Sequence, residues 1–205
     1  MPKQTFHNLP EDKRALIVKA AMREFAEHPY EYASINAVVR ETGISRGSFY
    51  QYFEGKSDLF THVITMIGVD KARMYGPLID PSVDMPFLER YHQMLVRALP
   101  FAKAHPTYVR IARQIEASSD PFIMRMKEDN NRRAARLFEP MIRSDITKGR
   151  LRPDLDPAFF ARLVTDTMAT LMAGKYMTDG LDILSLEEHI GQLVNIFRKG
   201  TKHHV

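Results

Sequence analysis

Arg46, Ser48, Tyr50, Gln51 and Tyr52 stand within one span of seven residues, and each carries a side chain able to reach a phosphate oxygen or a base edge. The run around them, Gly43 to Phe53, reads GISRGSFYQYF. Ile44, Phe49 and Phe53 are spaced to face inward on a short helix, and no acidic residue interrupts the polar face before Glu54. Such a face suits a polyanion. Gly43 supplies the tolerance of positive φ that a turn between two tightly crossed helices requires. Together these features describe the turn and recognition helix of a helix-turn-helix, with DNA as the polyanion.

Further helices must position that run. Ser34 is placed to cap a short helix over 35–42, with Ile35, Val38, Val39 and Thr42 on its apolar face. Before it, a helix over about 10–26 opens with Pro10, Glu11 and Asp12 and turns Leu16, Ile17, Ala20, Ala21 and Phe25 inward. Ser57 is placed to cap the helix that follows, beside Lys56, with Leu59, Phe60, Val63, Ile64 and Ile67 on its apolar face.

With Ile17, Ala20, Phe25, Ser34-Ile35, Gly43-Ile44-Ser45, Phe49-Tyr50-Gln51-Tyr52-Phe53, Lys56 and Leu59 in this order, residues 10 to 65 resemble the TetR/AcrR family of transcriptional regulators. Tyr30 departs from that pattern, standing where many members carry Gly. The resemblance implies an all-α homodimer of about nine helices. Residues 1–56 would form an N-terminal three-helix DNA-binding domain, and 57–205 a larger helical domain for effector binding and dimerisation. It assigns Arg46 to a base edge, where its fork suits guanine O6 and N7. Gln51 has chemistry suited to adenine. Ser48, Tyr50 and Tyr52 fall to phosphates, Ser34 and Asn36 to the backbone at the start of the second helix, and Lys56 to a phosphate at the start of the fourth. Ser45 and Gly47 complete the set.

Bulk properties narrow the alternatives. The 205 residues include no cysteine, which excludes disulfides and thiolate sites, and the eight histidines show no metal-binding spacing; neither metal nor cofactor is expected. No signal peptide or membrane span is visible, so a cytoplasmic location and no membrane partner are expected. The net charge is +4, yet residues 1 to 60 hold eight basic and eight acidic residues, which predicts modest non-specific affinity for DNA and a shallow salt slope. Gly43 to Gly47 also fits G-x-S-x-G, the nucleophile elbow of α/β-hydrolases; that elbow needs a preceding strand, and the pattern here is helical.

The remaining two-thirds reads as helices punctuated by Pro and Gly. Pro100 is expected to kink or end one of them and Pro140 to bend another. A capping box at Ser185 and Glu188 announces the last helix, and the tail GTKHHV is expected to fray. The resemblance implies a pocket for a lipophilic or amphipathic effector, for which Phe87, Tyr91, Met94, Tyr108, Ile111, Phe122, Met126 and Phe138 are the candidates; twelve methionines suit an adaptable cavity. The helices over 156–174 and 185–199 carry broad apolar stripes. Phe160, Val164, Met168, Leu171, Ile190, Val194 and Phe197 are the candidates for pairing with a second copy, as the resemblance implies. The whole would be a repressor released from a palindromic operator by its effector. The alternatives are a helix-turn-helix protein answering to a protein partner or to no effector, and, remotely, a hydrolase.

Overall fold

A computed structural model describes residues 1–172 and 183–201. It contains α1 (Gln4–His7), α2 (Glu11–Glu27), α3 (Ile35–Thr42), α4 (Arg46–Tyr52) and α5 (Lys56–Tyr75), then a 3-10 turn (Gly76–Ile79). There follow α6 (Phe87–Ala104), α7 (Pro106–Ala117), α8 (Pro121–Thr147), α9 (Pro157–Met172) and α10 (Ile183–Thr201). The fold is all-α, with no strand among the described residues. Ten α-helices stand among the described residues, where about nine were expected. The addition is α1, four residues long and with a single buried apolar residue, Phe6, too short for periodicity to reveal.

Packing divides the chain into two compact units, Met1–Lys71 with Pro106–Met124, and Ala72–His105 with Arg125–Val205. The first unit is built on Ile17, Ala21, Phe25, Val38, Phe49, Phe53, Leu59 and Val63, all buried, and α7 packs along α2 with Ile111 buried. Leu16, expected inward, is 45% exposed, and Val18 is buried instead. The buried stripe is centred between Ile17 and Ala21, and Val18 lies nearer to that centre around the helix than Leu16 does.

In the second unit α6 packs against α9 and α10 around Phe87, Tyr91, Leu95, Phe138, Ile142, Phe160, Val164 and Ile190. Buried Asp145, on α8, closes the start of α6: its Oδ2 accepts from the Phe87 amide at 2.7 Å, and its Oδ1 from Arg150 at 3.1 Å. The Arg90 guanidinium, also buried, donates to the carbonyls of Pro77, Leu78, Asp80 and Val83 and so fastens the loop before α6.

Three signals at helix ends resolve differently from expectation. Of the two outcomes expected at Pro100, a kink or an end, the end does not occur: α6 continues to Ala104, and Pro100 lies inside it, exposed, as Pro140 lies inside α8. α5 begins at Lys56 and α10 at Ile183, so Ser57 and Ser185 lie inside helices rather than before them. Of the tail, Gly200 and Thr201 are helical; residues 202–205, and the helix end expected at Gly174, lie outside the described residues.

Candidate nucleic-acid interface

α3 and α4 are joined by Gly43, Ile44 and Ser45. Gly43 adopts φ +66°, the left-handed conformation that ends α3 and that a residue with a Cβ adopts only under strain. Ser45 caps α4: its Oγ accepts from the Ser48 amide at 2.9 Å and lies 2.8 Å from the Ser48 hydroxyl. Phe49 and Phe53 are fully buried, their rings 5.5 Å apart, and they root α4 in the first unit's core. Rooted this way, α4 presents Arg46, Gly47, Tyr50 and Gln51 to solvent, and α3 presents Asn36.

The segment Gly43–Gly47 is thus a turn between two helices together with the first residues of α4. An α/β-hydrolase elbow requires a strand before the serine, and here α3 precedes it while the Ser45 hydroxyl serves as a helix cap.

Two assignments to phosphate change. Tyr52 is only 8% exposed, with its ring 6.4 Å from that of Phe6, so it joins Phe49 and Phe53 as scaffold. It stands three residues after Phe49, on the same side of the helix, a spacing that points inward. Lys56 turns back into the unit. Its Nζ donates to the carbonyls of Tyr30, Glu31 and Ala33 at 2.7, 3.1 and 3.1 Å and lies 4.6 Å from the centre of the Tyr30 ring. An ammonium has three N–H donors, and all three are engaged. Ser34 occupies the N-cap position of α3, but its hydroxyl makes no cap bond; its amide donates instead to Glu24 Oε1 at 2.7 Å.

Two supports escaped the sequence reading. α1 lies against the end of α4: the Lys3 amide donates to the Tyr52 carbonyl at 2.9 Å, Lys3 Nζ to the Tyr50 carbonyl at 3.0 Å, and the Thr5 hydroxyl to the Gln51 carbonyl. These are the carbonyls that a helix C-terminus leaves without partners. Phe6 anchors α1, with its ring 4.9 Å from that of Phe53.

The second support is the loop 28–34, which leads into α3. Tyr30 packs against Phe60 and Phe122, at 5.1 and 5.2 Å between ring centres, and burial raises its hydroxyl pKa, with the Asp120 charge adding to the effect. Glu31 Oε1 accepts from the Ser118 hydroxyl at 2.6 Å and from the Ser119 and Asp120 amides at 3.1 and 3.0 Å. The Ser118 bond, first among these, holds the Glu31 carboxyl below the usual carboxylate range.

The eight pocket candidates fall into different units. Tyr108, Ile111 and Phe122 belong to the first, where Ile111 is core, Phe122 packs on Tyr30, and the Tyr108 hydroxyl donates to Asp70 at 2.8 Å. Burial together with that carboxylate pushes the Tyr108 pKa up to about 12. Phe87, Tyr91, Met94, Met126 and Phe138 belong to the second; all are buried except half-buried Met126, and the Tyr91 hydroxyl donates to the Val164 carbonyl at 3.1 Å. A groove of about 480 Å³ opens between α9 and α10, lined by Asp166, Thr167, Thr170, Leu171, Leu186, His189 and Leu193.

Some of the pairing candidates also need correction. Phe160, Val164, Leu171, Ile190 and Val194 are buried within their own chain, and Met168 and Phe197 pack against the same core. Phe160, Val164, Ile190 and Val194, covered by their own fold, have no surface left for a second copy; Met168 and Phe197 are only partly buried, and Leu171 also lines the groove. Among the described residues, the large apolar side chains that α9 and α10 leave exposed are Phe159 (65%), Leu163 (40%) and Ile196 (65%).

Comparison with known proteins converges on one class. The family model for bacterial regulatory proteins of the tetR family matches residues 17–63. The HTH-type transcriptional repressor AcnR of Corynebacterium glutamicum is 28% identical over 196 residues, covering 87% of this chain and 92% of its own length. A TetR family regulator from Chloroflexus aurantiacus has the same fold, with TM-score 0.71, 24% identity and full coverage of both chains. So does the regulator FadR of Bacillus subtilis, solved with stearoyl-CoA: TM-score 0.71, 15% identity, 88% of this chain and 96% of that one.

Proposed function

The chain belongs to the TetR family of bacterial transcriptional regulators, and we propose that it is a homodimeric repressor released from a palindromic operator by a small lipophilic or amphipathic effector. The observation that carries the DNA part is the exposed face of α3 and α4. Arg46, Tyr50, Gln51 and Asn36 stand outward on helices whose opposite sides are locked by Val38, Phe49 and Phe53. On this reading Arg46 forks onto a guanine, Gln51 reads an adjacent base, and Ser48, Tyr50, Asn36 and Ser34 meet the phosphate backbone. Lys56 and Tyr52 hold the helices in place and contact no DNA. One recognition helix spans only a few base pairs, so a two-fold dimer with half-sites about 34–36 Å apart, or a multiple of that, supplies the remaining affinity.

Phe159, Leu163 and Ile196, with the groove between α9 and α10, form the face on which the second copy packs. Two features support an effector: a fold shared with a regulator solved with stearoyl-CoA, and a second unit rich in adaptable apolar side chains, Phe87, Tyr91, Met94 and Phe138 among them. Binding that favours one of two dimer geometries would shift the spacing of the recognition helices.

The test is selection of bound fragments from genomic DNA, followed by titration of the selected fragment with stearoyl-CoA as probe and native mass spectrometry of compounds retained through purification. A two-fold symmetric fragment that holds two chains, and is released saturably by the probe or a retained compound, supports the proposal. Failure to enrich any fragment overturns the DNA part. A fragment that no small molecule releases overturns the effector part and favours control by a protein partner.

A further inference from the structure

The loop 28–34 delivers Ser34 and Asn36 to the start of α3, and it is held from two directions. Lys56 fixes its inner side through three carbonyls. Its outer side is held by a residue 87 positions distant in sequence from its first partner: the Glu31 carboxylate gathers the Ser118 hydroxyl and the Ser119 and Asp120 amides on one oxygen. The same turn is internally tied, since the Ser118 hydroxyl also accepts from the Asp120 amide at 3.2 Å and Asp120 Oδ1 accepts from the Phe122 amide at 2.8 Å. The Phe122 ring then packs at a tilt on that of Tyr30, the neighbour of Glu31. The second carboxylate oxygen of Glu31 is buried and has no hydrogen-bond partner.

We infer that Glu31 is a positioning residue for DNA binding: it makes the turn 118–120, at the start of α8, part of the apparatus that sets α3. Residues 106–124 accordingly pack in one compact unit with 1–71. A change of conformation in the 118–120 turn passes to the loop 28–34 through the Glu31 carboxylate and the Tyr30–Phe122 contact, and reaches Ser34 and Asn36 without passing through Arg46. This inference rests on the DNA-binding reading above, because it assigns Glu31 a role in that binding.

The full-length protein and three variants, Glu31→Ala, Ser118→Ala and the double variant, are compared by amide hydrogen exchange and by titration of a selected DNA fragment. Each single variant is expected to speed exchange at residues 30–34 and at Ser119 and Asp120 by about three- to tenfold, hydrogen bonds to an ionised group being the stronger class but weakened here by partial exposure. Each weakens binding to the fragment while leaving its base preference unchanged. The double variant loses less than the sum of the two single losses, because the Ser118–Glu31 bond is removed by both. Unchanged exchange in Glu31→Ala, additive losses, or unchanged DNA affinity alongside faster exchange would each overturn the inference. If the wild-type protein enriches no fragment, the DNA-binding reading fails, and the exchange data still decide whether Glu31 ties the two segments.

Discussion

Replacing Lys56 with methionine separates two roles for one side chain. A lysine facing a phosphate contributes to DNA affinity and little to stability; the geometry here predicts the reverse. The Lys56 ammonium donates three bonds, between 2.7 and 3.1 Å, to the loop carbonyls, and its charge lies 4.6 Å from the Tyr30 ring centre. Hydrogen bonds to a charged group contribute about 1.5–3 kcal/mol net each, but three that share one ammonium are not additive. A cation over an aromatic face adds about 0.5–1 kcal/mol at a partly exposed site. The set is therefore worth about 2–4 kcal/mol, against roughly 0–1 kcal/mol for an exposed ion pair. Methionine keeps most of the stem volume and removes every donor. In urea unfolding the midpoint should fall by about 1–2 M, for a slope of about 2 kcal/mol/M. At temperatures where the variant is folded, the dependence of DNA affinity on salt should match wild type. A midpoint within experimental error of wild type, together with a salt slope reduced by about one, would refute the reasoning and return Lys56 to a phosphate.

Arg46→Ala should cost about 1–3 kcal/mol on the selected site and relax preference at one base pair, read by binding to a set of single-base variants of that site. Ile196→Glu should yield monomers in sedimentation without loss of helix, because Ile196 is 65% exposed; Leu171→Glu, whose side chain is 9% exposed, should instead unfold the second unit, seen by circular dichroism. Asp84 is held at a pKa of about 2, against an ordinary 3.8, first by its bond from Arg150 and then by Lys148. A depressed carboxylate pKa adds stability at pH values above 3.8, and that contribution is lost as pH falls toward 2; the unfolding curves of wild type and Asp84→Asn should differ at pH 6 and converge near pH 2.

How much of this was legible in the sequence follows from how local each signal is. Ser34 and Gly43 stand at the two ends of α3, whose bounds at Ile35 and Thr42 were legible from them, whereas the sequence reading did not mark the Ser45 cap that opens α4 at Arg46. The outward Arg46 and Gln51 follow from the inward Phe49 and Phe53 by helical period. Lys56 was misread because its acceptors lie 23 to 26 residues upstream, in a loop whose path no pattern specifies. α1 was missed for a related reason: its partners are the carbonyls at the end of α4, and only the folded chain brings them near. On α9 and α10 the apolar stripes are wide because they serve two faces. Phe160 and Val164 fill the chain's own core, while Phe159 and Leu163, one position earlier in each pair, remain outside it. Hydrophobicity alone does not say which face is which.

The most direct test of the central claim is a base-resolved footprint of wild type and Arg46→Ala on the fragment that the protein selects from genomic DNA. The account predicts two protected half-sites related by two-fold symmetry, with the variant losing protection at one symmetry-related base pair in each half. Protection that is asymmetric, or unchanged by the loss of Arg46, would contradict it.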